Sequence, residues 1–161
     1  MTTEAAPGSV VVGVEDGGGS RATIRLAAQE ARFRHARLIA VMAYSVDRAM
    51  AAAGRPAASV RMAGEERLVA ESALRDAVVD ALGEEADRVE LRTALGLAGR
   101  NLVDTARRVN AQLIVLAGRG STSMLLGTVS QYVLRKAPCP VLVVPEGRWS
   151  PTAPALAGRK P

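Results

Sequence analysis

Leu113-Ile114-Val115-Leu116-Ala117 is apolar at every position, and no other feature of the chain narrows the choice of fold so far. A strand with one wet face alternates apolar and polar residues, whereas a strand covered on both faces is apolar throughout. The run therefore predicts an interior strand of a parallel sheet with helices on both sides. Beyond it, Gly118-Arg119-Gly120-Ser121 reads as a glycine-bearing loop and Thr128 to Ala137 as a helix. Pro138 breaks that helix, and Val141-Leu142-Val143-Val144 is a second aliphatic strand. Open α/β sheets take ligands beyond the carboxyl ends of their strands, where the following helices begin. An anion is expected at the loop Gly118 to Ser121.

The rest of the chain repeats the alternation. Ser9 to Glu15 is β-branched and bounded by glycines, a first strand. Asp16-Gly17-Gly18-Gly19-Ser20 is a turn with Ser20 placed to cap the next helix. Ile24, Ala27, Ala28 and Ala31 recur at helical spacing between Arg21 and Arg34, so this helix buries one face on the sheet. Arg37 to Tyr44 is the second strand. Val46 to Gly64 has no clear period and reads as a loop or broken helical segment. A long helix runs from Glu65 to Leu82, where Gly83 stops it. Val89 to Leu95 is a third strand nearer a sheet edge. Gly96 to Arg100 is a turn into a short helix, Asn101 to Val109, with Asn101 as its N-cap. Met1 to Gly8 is expected to be a disordered leader and 148–161 a flexible tail, leaving one domain over 9–147. Five strands alternating with helices predict a single-domain α/β fold: an open, doubly wound, Rossmann-like parallel sheet with helices on both faces.

Composition excludes several functions. The net charge is +5, but arginines alternate with acids in the predicted helices, as in Glu65-Glu66-Arg67, and aromatic residues are few. Neither a basic track nor a stacking platform for nucleic acid is present. No apolar run is long enough to span a membrane and the N-terminus lacks a signal pattern, so a cytoplasmic location is expected. Cys139 is the single cysteine, which excludes an intrachain disulfide; it reads as a small buried residue. His35 stands among arginines with no metal partner in view and reads as a surface residue.

LAGRG…LLGTVSQYVLRKAPCPVLVVP, together with VVVGVEDGGGSRATIRLAAQEARFRHARLIAVMAY upstream, resembles the two conserved halves of a universal stress protein domain. The resemblance implies strand order 3-2-1-4-5, a crevice between the first and fourth strands, and a homodimer paired through the last strand, here Val141 to Val144. It also implies ATP, held by the pattern G-x2-G-x9-G-[ST] after the fourth strand. Placed on that pattern, Ala117 takes the first glycine, Gly120 the second, and Gly127-Thr128 the final pair. Only six residues, Ser121 to Leu126, lie between Gly120 and Gly127, three fewer than the pattern has. Gly118 offers compensating freedom, Arg119 a cation, and Ser121, Thr122 and Ser123 hydroxyl donors. Two readings stay open: a phosphate cradle, and a plain strand-to-helix connection.

The aspartate that contacts the nucleoside in ATP-binding relatives corresponds to Glu15, followed by Asp16. The border of the base corresponds to Met42-Ala43. Gly17-Gly18-Gly19 lacks the lysine and hydroxyl of a Walker loop and reads as a lip of the crevice. No catalytic constellation is visible, so a dedicated enzyme is not expected; slow ATP hydrolysis with Mg²⁺ is the most the residues suggest. The resemblance implies a stress-response module switched by ATP. The alternative is a dimeric scaffold acting through protein partners, its ATP site abolished by the shortened loop.

Overall fold

The structure, a computed structural model, describes residues 8–15, 20–45, 56–118 and 127–145. The chain runs through β1 (Ser9–Gly13), α1 (Arg21–Phe33), β2 (Arg37–Tyr44) and α2 (Pro56–Leu82), then a 3-10 turn (Gly83–Arg88). β3 (Glu90–Leu95), α3 (Ala98–Arg108), β4 (Ala111–Gly118), α4 (Thr128–Lys136) and β5 (Val141–Pro145) complete it. The strands form one five-stranded sheet in the order β3-β2-β1-β4-β5, every pairing parallel. The α/β fold and the strand order 3-2-1-4-5 are as the sequence implied. The expected leader falls mostly on undescribed residues, and the expected tail lies wholly outside the described ones.

Continuous apolarity in the inner strands is explained by what lies on either side. Val10, Val12, Ala40, Met42, Leu113 and Val115 face one cluster with Ile24 and Ala27 of α1 and Leu74 and Val78 of α2. The alternate residues Val11, Ile39, Val41, Ile114 and Leu116 face a second cluster with Leu102, Val103 and Ala106 of α3 and Val133 of α4. Successive side chains of a strand point to opposite faces, so a sheet with helices on both sides needs an aliphatic residue at each position. A small residue brings the two helices of that second layer close: a Cβ on Gly99 of α3 would lie 3.1 Å from the Tyr132 ring of α4.

Helix ends follow local chemistry, and several differ from expectation. α1 closes with His35 at φ 51°. Ala36 N–H donates to Ala31 O (2.9 Å) and His35 N–H to Arg32 O (3.1 Å), a Schellman closure built on a residue other than glycine. His35 is exposed, as expected. α2 begins at Pro56 rather than Glu65. Proline is pre-set for the first helical position, and the alanine-rich segment behind it propagates a helix despite its weak period. Residues 46–55 lie outside the described residues. Gly83, at φ +59°, ends α2 as expected, but the 3-10 turn that follows was not foreseen.

Two capping assignments are corrected. Ser20 occupies the N-cap of α1 without capping it through its side chain. Asn101 lies inside α3, which starts three residues earlier with extended Leu97 at its N-cap. The Asn101 amide donates instead to the carbonyls of Ala94 (3.4 Å) and Leu95 (3.2 Å), tying α3 back to the end of β3. Cys139 is half-buried rather than fully buried, and desolvation pushes its thiol above the usual value.

Candidate functional site

The order β3-β2-β1-β4-β5 makes the connections after β1 and β4 leave in opposite directions, and a crevice opens between them at the carboxyl ends of the strands. β1 ends at Gly13, earlier than expected, and the chain continues into Val14 and Glu15, held to β2 by the Val14 N–H donating to Val41 O (2.9 Å). Ser20 then fixes where Glu15 lies. Glu15 N–H donates to Ser20 Oγ (3.0 Å), and Ser20 Oγ–H donates to Glu15 O (3.3 Å). With its side chain used in this way, Ser20 clasps the foot of the 16–19 segment instead of capping α1.

The crevice encloses about 440 Å³, within the range usual for small-molecule sites. It is lined by Val14 and Glu15 after β1, by Met42 and Ala43 near the end of β2, by Ala70 from α2 and by Val129 from α4. A recess of about 30 Å³ runs deeper, lined by Gly13, Leu102, Leu116 and Ala117 and sharing Glu15, Ala43 and Val129 with the crevice. Of the residues singled out from sequence, Glu15, Ala43 and Ala117 meet here. Gly127 and Thr128 stand at the start of α4, immediately before Val129. Asp16, Arg119, Gly120 and Ser121 lie outside the described residues, as do Gly17 to Gly19, Thr122 and Ser123.

Gly118 is the last residue of β4, paired with Pro145. A Cβ there would stand 2.9 Å from Val143 Cγ1 and 3.4 Å from Val144 O. Its missing side chain admits β5. Ala117, one place earlier, is the residue whose methyl reaches the recess.

Gly127 is the N-cap of α4 and places no side-chain hydrogen bond on the helix. The first helical bond runs from Gln131 N–H to Gly127 O (3.0 Å), so the amides of Thr128, Val129 and Ser130 are not taken up within the helix. These amides and the helix dipole suit an anion. Among the described lining residues the charged side chains are the carboxylates Glu15 and Glu66. The described part of the crevice is thus largely apolar, with the carboxylates Glu15 and Glu66 among its lining residues and the start of α4 reaching it at Val129.

Sequence reasoning missed the contribution of α2. Its 27 residues extend about 40 Å at 1.5 Å per residue, longer than the strands it crosses. Its middle turns bring Glu66, Val69, Ala70 and Ala73 to the crevice. The length of α2 was the available signal, and the helix had been placed nine residues too short. Ala98 was missed because 96–100 was read as a turn.

The fold and crevice define a doubly wound α/β protein with a cleft at its topological switch point. Residues 8–145 match the model of the Universal stress protein family, and the chain belongs to that family. A universal stress protein solved in complex with cAMP is 28% identical, with a TM-score of 0.62 over 88% of this chain and 99% of that one. UspA from Lactobacillus plantarum is 23% identical, with a TM-score of 0.66 over 88% and 99%. A universal stress protein from Archaeoglobus fulgidus in complex with dAMP is 23% identical, with a TM-score of 0.51 over 84% and 96%. The last two bear on the fold alone.

No helix among the described residues is long and apolar enough to cross a membrane, and no cluster of metal-ligating side chains occurs among them.

Proposed function

We propose that the chain is a stress-response module that binds an adenine nucleotide, ATP foremost, in the crevice between β1 and β4. The observation that carries this is the pairing of two chemistries across one cleft. Glu15 supplies acceptors suited to ribose hydroxyls, while α4 starts at Gly127, an N-cap with no side chain to cover the first amides. Met42 and Ala43 offer an apolar floor for a flat base. The described residues fit a nucleoside with its phosphate directed at α4. The complex of a 28% identical family member with cAMP supports an adenine ligand. Binding would act by population shift, favouring one arrangement of the connection from β4 to α4 and so altering a surface that partners meet. Mg²⁺ accompanying ATP would offset phosphate charge near the two carboxylates.

Titration calorimetry of nucleotide-stripped protein with ATP and Mg²⁺, and separately with cAMP, tests the reading. Saturable micromolar binding is expected, lost in Gly127→Val, whose side chain would cover the amides. Absence of heat and of thermal stabilisation at millimolar nucleotide would overturn it. A second reading follows from Ala117, whose methyl faces the recess, and from Gly118, which is committed to β5. In it the phosphate position is closed and the chain works as a dimeric scaffold, and the same null titration would favour it.

A further inference from the structure

A second cavity lies at the opposite pole, by the amino ends of the strands, and shares no residue with the crevice. It encloses about 280 Å³ beneath α1 and the 3-10 turn. Its floor is dry: Ala28, Ala31 and Leu38 are each no more than 6% exposed. Leu82 and Val89 form half-buried walls. The alanines make the hollow, since larger residues at these turns of α1 would fill it.

The rim is charged and unevenly so. Three guanidiniums, Arg32, Arg37 and Arg88, stand around it against one lining carboxylate, Glu85. Glu85 is engaged by Arg32 at 2.5 Å. Arg37 shares Glu90 (3.5 Å) with Arg92 (2.5 Å), so one carboxylate serves two cations. Arg88 makes no ion pair or side-chain hydrogen bond among the described residues. Glu84 and Asp87 of the 3-10 turn are exposed and do not line the cavity. The rim therefore carries surplus positive charge above an apolar floor.

We propose that this cavity binds a small amphipathic carboxylate, its short alkyl chain against Ala28, Ala31 and Leu38 and its head on Arg88 and Arg37. The planar forks of the arginines match a carboxylate, and the floor rewards only a ligand that also brings apolar surface. Neither an anion without a tail nor a tail without a charge meets both requirements. The site is independent of the nucleotide crevice.

Octanoate is the probe, with acetate and octanol as half-ligand controls, observed by amide chemical shifts of labelled full-length protein. Octanoate is expected to move the signals of residues 28, 31, 38 and 88 saturably, with acetate and octanol leaving them nearly unmoved. Arg88→Gln removes a side chain that makes no ion pair or hydrogen bond among the described residues. It is expected to weaken octanoate at least about tenfold with an unchanged melting temperature. Ala31→Leu fills the floor and should abolish binding; Ala28→Val is the milder substitute if that variant does not fold. Equal affinity in Arg88→Gln and wild type, an octanol response as strong as that of octanoate, or shifts confined to the crevice would each overturn the proposal.

Discussion

Ser20 shows how much one hydroxyl can decide. It is 2% exposed, and its Oγ both accepts from and donates to the backbone of Glu15. Ser20→Ala leaves the Glu15 amide without this acceptor in a partly buried place, which costs about 1–2 kcal/mol. Urea unfolding should show that loss, and nucleotide affinity should fall with it, because Glu15 would no longer be held at the crevice wall. A cap role alone would lower stability and leave affinity untouched. Asn101 makes the same point differently. Its amide reaches back to Ala94 and Leu95, so both residue types favoured at helix starts turn out to hold a strand end.

At the scale of elements, α1 and α2 are joined by more than apolar contact. Arg25 Nε donates to Ala81 O at 2.9 Å, satisfying a last-turn carbonyl of α2 while placing positive charge at the negative end of its dipole. Arg25→Ala is expected to lower stability by about 1 kcal/mol, seen as a lower denaturant midpoint at constant slope, with Arg25→Lys recovering part of it.

Elements were most legible where burial is two-sided. The aliphatic runs of β1, β2, β4 and β5 leave little choice of structure, and Gly83 and Pro138 mark the ends of α2 and α4 through backbone constraint. The start of α2 was obscured because the segment 56–64 is rich in alanine and carries no clear apolar period, so propensity rather than pattern decides there. The 3-10 turn was hidden for a related reason: it buries none of its residues fully. Within the site, Glu15, Ala43 and Ala117 were recoverable because strand ends can be located from the apolar runs. Ala98, Val129 and the contribution of α2 depend on how helices lie across the sheet, which local pattern does not record. The packing of Gly118 against Val143 was not legible, because local sequence does not record which strand lies beside a glycine.

For the whole molecule, the sheet has two edges, β3 and β5. Ile114 N–H donates to Pro140 O (3.0 Å). Backbone groups alternate in direction along a strand, so Val141 and Val143 turn theirs outward from β4. A bare aliphatic edge of this kind invites pairing with another strand, and a homodimer through Val141 to Val144 is proposed on that basis. Sedimentation should show a dimer that Val143→Pro converts to a monomer, since proline removes an outward donor while sparing the ladder to β4. A dimer that survives the substitution would place the contact elsewhere.

The central position of β1 also shapes how the molecule comes into being. Val10 pairs with Leu113 and Val12 with Val115, so β1 waits for a strand synthesised well after it. Until β4 leaves the ribosome, Val10, Val11 and Val12 have a neighbour on one side only, and α1 can cover only one face of them. Contacts so distant in sequence are slow to form, and a nascent chain halted before Leu113 would present unpaired aliphatic strands to chaperones and proteases. Productive folding is therefore a late event in the life of this polypeptide, and premature termination upstream of β4 should yield degraded product in place of a stable fragment.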